Sequence, residues 1–90
     1  MEVKIEFSER FLNDTRQIYS RKVANELKEA LSTIEAIPTI GSKIIAESLK
    51  AEFSENIYKW IVGPFDLIYT FNSKENTVQL HALVPQKMVK

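Results

Sequence analysis

The sequence predicts an α+β domain: a two-layer sandwich in the order β-α-α-β-β-β, with a helical hairpin on one face of a four-stranded, mainly antiparallel sheet. Three observations carry this. Apolar and charged residues alternate over Val3 to Phe7, apolar residues then recur at helical spacing from Glu9 to Ala36, and alternation returns in three runs between Ile57 and Val84.

In the first strand, Val3, Ile5 and Phe7 alternate with Lys4 and Glu6, which gives one apolar face. Ser8 offers an oxygen to the free amides of a helix start, and Glu9 suits the positive end of that helix's dipole. Phe11, Thr15 and Ile18, flanked by Leu12 and Tyr19, set a first helix from Glu9 to about Tyr19. No glycine or proline separates it from the next helix. The break near Tyr19 to Arg21 rests on the change of stripe, and one continuous helix is the alternative. Val23, Leu27, Ala30, Leu31 and Ile34 form the second stripe, which must end near Ala36 because Pro38 disfavours helical geometry at Ile37.

Thr39 to Ser42 contains Gly41 and reads as a turn, after which Ile44, Ile45 and Leu49 suggest a short helical turn capping the core. Tyr58, Trp60 and Val62 alternate, Gly63 and Pro64 break the run, and Phe65, Leu67, Tyr69 and Phe71 alternate again, which is a hairpin. The polar stretch Asn72 to Asn76 makes a second turn. Val78, Leu80, Ala82 and Val84 then form a last strand that Pro85 stops.

Ninety residues make one domain, 1–90. With 44% hydrophobic and 27% charged residues the composition is that of a globular protein. The absence of cysteine excludes disulfides, thiolate metal sites and cysteine nucleophiles and fits a reducing compartment, so the expected location is the cytoplasm. No apolar run reaches the roughly 18 residues of a membrane span, and the N-terminus lacks the continuous apolar stretch of a signal peptide. Twelve basic and twelve acidic residues cancel, whereas chains that grip nucleic acid mostly carry a cationic excess. A local basic patch remains in Pro85 to Lys90, which holds Lys87 and Lys90; the simpler reading is a solvated tail.

A strict period of two points Tyr58, Trp60, Phe65, Leu67, Tyr69, Leu80 and Ala82 at the helices. It sends Lys59, Ile61, Asp66, Ile68, Thr70, Gln79, His81 and Leu83 to an open far face. That face mixes titratable side chains with apolar ones that prefer cover, which suits a partner surface built from Ile61, Asp66, Ile68, Thr70, Gln79 and Leu83.

The element order, the stretch IPTIGSKI from Ile37 to Ile44, and YKWIVGPFDLIYTF from Tyr58 to Phe71 together resemble the RelE/ParE toxins of type II toxin–antitoxin systems over nearly the whole chain. Members of that family similarly end the second helix at a proline-containing turn and enter a strand through a Tyr-Lys or Tyr-Arg pair. Their next strand runs as an aromatic-basic pair, apolar residues and Tyr; here it reads Phe65, Asp66, Leu67, Ile68, Tyr69. The resemblance implies a cognate antitoxin as partner and a cellular target, either the ribosome with its mRNA or DNA gyrase. It also allows a homodimer, and it implies no cofactor, no metal and no membrane.

The family's ribonuclease set transfers poorly. Lys59 matches the first basic residue that holds the RNA backbone, but Ile61 stands where the second is expected. Asp66 replaces the arginine that stabilises charge on the scissile phosphate, a reversal that would cost on the order of 3 kcal/mol of transition-state stabilisation. The arginine after the last strand falls near Lys87 or Met88, and the catalytic tyrosine falls beyond Lys90.

The weak catalytic candidates are therefore His81, Lys59 and Lys87. His81 is the single histidine and suits a general acid or base; its plainer reading is a half-buried strand residue. Lys59, Asp66 and His81 read as a cross-strand trio, for which an ion pair is the simpler account. Trp60 and Tyr58 read as core packing rather than as base-stacking residues. Three functions follow. The first is a toxin component that binds an antitoxin and a cellular target and carries a degenerate ribonuclease site. The second is a ribosome-dependent mRNA interferase using Lys59, His81 and Lys87, and the third is a non-toxic dimerising or regulatory descendant.

Overall fold

The computed structural model describes residues 3–43 and 57–86; Ile44, Ile45, Leu49, Lys87 and Lys90 lie outside the described residues. Alternation along Lys4–Phe7 makes strand β1, and at its end Ser8 caps helix α1, Glu9–Asp14, by accepting the Phe11 amide at 3.0 Å. The helix is shorter than its stripe suggests. Thr15–Gln17 tightens into a 3-10 turn, Ile18 is extended at φ −88° and ψ 109°, and Ser20 caps a separate helix α2, Arg21–Ala36. A cap hydroxyl needs a non-helical backbone, so Ser20 marks the break that no glycine or proline announces. The end of α2 at Ala36 meets the restriction that Pro38 places on Ile37, whose φ is −135°.

Strands β3 (Ile57–Val62), β4 (Phe65–Asn72) and β5 (Thr77–Pro85) form an antiparallel meander, and β1 lies parallel to β5. A two-residue strand β2, Ser42–Lys43, pairs with Lys59 and Tyr58 and adds a fifth strand to the expected four, giving the order β1-β5-β4-β3-β2. Two residues carry no readable alternation. The β3–β4 turn has Gly63 at φ +56° followed by Pro64, the sign pattern of a II′ hairpin turn. At Gly41 a side chain is excluded, because a Cβ there would lie 2.6 Å from the Tyr69 hydroxyl and 2.9 Å from the Lys59 carbonyl. The Gly41 amide instead donates to the Tyr69 hydroxyl at 3.0 Å, and the Tyr69 ring stacks on Tyr58 at 5.3 Å.

The core lies between helices and sheet. Phe11 from α1, with Ala30 and Ile34 from α2, meets Tyr58, Leu67, Tyr69, Val78, Leu80 and Leu83, and Val23, Leu27 and Leu31 pack around them. Each fully buried large apolar side chain here contributes about 1.5–3 kcal/mol.

β5 carries one more residue than β4 can match. Leu80 faces Tyr69 and Ala82 faces Ile68, which leaves His81 as the bulged residue. The bulge shifts the parity of everything after it. Leu83, expected on the far face, is fully buried in the helix-side core, whereas Ala82, expected under the helices, joins Ile57 and Ile68 on the other side.

The outer edge of β5 also changes partner at this point. β1 ends at Phe7, opposite Leu80, and among the described residues no strand lies beside the edge of β5 beyond it. Side chains of α1 take over. The Ser8 hydroxyl donates to the His81 carbonyl at 2.9 Å, and the Asp14 carboxylate accepts the Leu83 amide at 2.9 Å. Asp14→Ala should therefore cost about 1–3 kcal/mol, the penalty of leaving a buried amide unpaired. Urea unfolding monitored by circular dichroism measures it, and a loss under half a kcal/mol would show that the Leu83 amide has another partner.

Candidate far-face site

His81 is held by the bulge with its ring half-buried beside Thr70, and Nε2 lies 2.8 Å from the Thr70 hydroxyl oxygen. Burial disfavours the imidazolium and lowers the pKa below the ordinary histidine value. The ring is therefore neutral at pH 7, and the hydroxyl contact restrains its orientation.

The expected trio is not assembled. Lys59 stands opposite Ile68, Asp66 stands between Ile61 and Val84, and His81 sits next to Thr70 beyond Ala82. The ion pair expected between Lys59 and Asp66 does not form. Among the described residues the ion pairs are Lys4–Glu6 at 3.7 Å and Arg10–Asp14 at 3.9 Å. Asp66 was expected to face solvent or a partner, yet it is only 3% exposed, and its carboxyl oxygen takes a long 3.5 Å bond from the Gln86 amide. The middle of the far face is not open either. Ile57, Ile68 and Ala82 meet across three adjacent strands as a second small cluster, fully buried, with Val84 packed against it.

The six residues expected to form one partner surface are thus divided. Ile61 is exposed at 64%, Gln79 is exposed and Thr70 is half-buried, but Asp66 and Ile68 are buried and Leu83 lies on the other side of the sheet. Gln79 instead donates to Glu6 on β1 at 3.2 Å. Glu6 was missed as a far-face residue, because nothing in a lone alternating segment tells which strand it will join. Among the described residues no group of three His, Asp or Glu side chains converges as a metal site would require, and no helix is long and apolar enough to cross a membrane.

No protein-family model and no curated protein matches the chain by sequence. Solved structures do match. The intact E. coli RelBE toxin–antitoxin complex contains a chain that superposes with a TM-score of 0.72 at 19% identity, covering 92% of this chain and 95% of that one. The isolated E. coli RelE toxin superposes with a TM-score of 0.73 at 20% identity, over 92% of this chain and 83% of that one. This chain has the fold of the RelE toxin. The YoeB dimer from Staphylococcus aureus shares it, with a TM-score of 0.70 at 18% identity over 93% of this chain and 97% of that one.

The RelE-like sheet carries an acidic side chain buried at the head of β4, and that position tolerates no bulk or unpaired charge. Asp66→Arg is expected to destabilise by about 3 kcal/mol or more, since an uncompensated charge would be buried. Asp66→Asn, which keeps shape and an acceptor for Gln86, serves as the control. Thermal melts of both variants decide it, and an Asp66→Arg protein as stable as wild type would show that the side chain reaches water.

His81 gives the second expectation. With its pKa lower in the folded state than in the unfolded chain, the unfolded state binds more protons between the two values. This contribution is fully present above the unfolded pKa of about 6.5 and is lost as pH falls from there toward the folded value. The urea midpoint of the wild type should drop from pH 7.5 to pH 5.5, and His81→Gln should reduce that drop; equal drops in the two proteins would remove His81 as the cause.

Proposed function

We propose that the chain is the toxin component of a type II toxin–antitoxin module, acting in the cytoplasm by binding an antitoxin and a cellular target. The observation that carries this reading is the end-to-end likeness to RelE, a fold solved both alone and within the RelBE complex. A binding mode is favoured over RNA cleavage because the position of the charge-stabilising arginine holds the buried Asp66, and Ile61 replaces a second phosphate-holding base. Exposed Ile61 and Gln79 at the two sides of the far face are the parts of that surface available to an antitoxin. Self-association is compatible with this reading, since YoeB from Staphylococcus aureus, of the same fold, is solved as a dimer.

One contact favours a second reading, an mRNA interferase. A neutral, half-buried His81 oriented by Thr70 has the protonation state of a general base, with Lys59 and Lys87 left to contact phosphate.

Induced expression of the chain should arrest growth, and co-expression of the adjacent gene's product should restore it. Under the binding reading His81→Ala and Lys59→Ala stay toxic, while under the interferase reading they lose toxicity with the fold retained. A chain that leaves growth untouched at high expression belongs to the third class, a non-toxic dimerising or regulatory descendant.

A further inference from the structure

Strand β1 stands at one rim of the sheet, and among the described residues nothing pairs with its outer edge. Its inner edge is fixed by two bonds. The Lys4 amide donates to the Asn76 carbonyl at 3.0 Å, and the Ser8 amide donates to the Leu80 carbonyl at 3.1 Å. Successive residues of a strand turn their N–H and C=O groups to opposite edges. Lys4 and Glu6 therefore bond β5, while Ile5 and Phe7, with Val3 before them, present theirs outward. The side chains also divide. Val3 and Ile5 pack on the helix-side core, and Phe7 stacks on Phe11 at 5.7 Å yet stays 51% exposed. Lys4 and Glu6 lie on the far face as an ion pair at 3.7 Å, both largely solvated.

An open edge is a template for another strand, and a lone lysine on it is a common guard against pairing. Lys4 is a poor guard here, because Glu6 stands two residues away on the same face. In an antiparallel pair related by a two-fold axis, outward residues must meet outward residues, which leaves few registers. With the axis at Lys4 two lysines face each other, and with the axis at Glu6 two glutamates do. With the axis at Ile5 each Lys4 faces a Glu6, each Val3 faces a Phe7, and the outward groups of Val3, Ile5 and Phe7 are all bonded.

We infer that β1 is a homodimer interface, where a second copy pairs antiparallel with Ile5 at the two-fold axis and the two sheets become one. An extended segment of another protein also satisfies the backbone groups. Opposite charges placed symmetrically about Ile5 are what select a second copy, since like charges directly opposite repel in the competing registers. A short strand pair makes a small interface, so the association is reversible. It does not rest on the toxin reading, because neither an antitoxin nor a cellular target enters it.

Sedimentation of the purified chain over rising concentration tests it. The wild type should pass from monomer to dimer, and a chain that stays monomeric to about 1 mM overturns the inference. Lys4→Glu and Glu6→Lys should each weaken dimerisation about tenfold or more, with the fold retained in thermal melts. An equimolar mixture of the two should dimerise again, since every facing pair is then of opposite charge. Dimers unweakened in both variants overturn the inference, because they form on another surface. Cysteines read the register in a chain that has none of its own. Lys4→Cys mixed with Glu6→Cys should cross-link on mild oxidation, because facing residues of that pair have Cα atoms about 4.5 Å apart, within disulfide reach. Cross-linking of Lys4→Cys to itself in preference to Glu6→Cys overturns the assigned register. Amide hydrogen exchange supplies the last arm. Ile5 and Phe7 amides should gain protection as the chain is concentrated. Protection gained only on adding the adjacent gene's product would overturn the inference, by giving the edge to another protein's strand.

Discussion

The closure of the outer edge of β5 by α1 is the constraint on which the rest of the molecule depends. β1 protects that edge only as far as Leu80, and Ser8 and Asp14 then bond the His81 carbonyl and the Leu83 amide. Ser8 bonds in both directions, since its oxygen also accepts the Phe11 amide that starts α1. Helix start, bulge and strand edge are therefore one hydrogen-bonded unit. It fixes where Phe11 enters the core and how far β5 can run before its parity changes.

From that unit follows the division of the two faces. The extra residue at His81 keeps both His81 and Ala82 on the far side and returns Leu83 to the core. A small dry cluster of Ile57, Ile68 and Ala82 then occupies the middle of the far face, and the polar side chains are pushed to its margins. Lys59 stands opposite Ile68, Asp66 accepts from Gln86, and His81 bonds Thr70.

Fold and function separate clearly here, because a shared fold hosts more than one activity and the site must be argued on its own residues. The likeness to RelE is one of fold, while the buried Asp66 is a feature of this chain's own sheet. On the helix side, exposed Tyr19 stands at a cavity that Pro64, Phe65 and Pro85 also line.

By itself the sequence determined the two helical segments, the four longer strands and the first half of each face. Alternation from Tyr58 to Phe71 was readable because each strand there is regular, and the stripe from Val23 to Ile34 because one helix face is buried along its length. Only tertiary structure decided the rest. A bulge is a property of two strands in register, so His81 looks like any other residue of β5 until β4 lies beside it. The burial of Asp66, the joining of β1 to β5 and the two-residue β2 are likewise contacts between segments distant in the chain. Periodicity records which side of its own element a residue occupies, and it holds no information about what will be packed against that side.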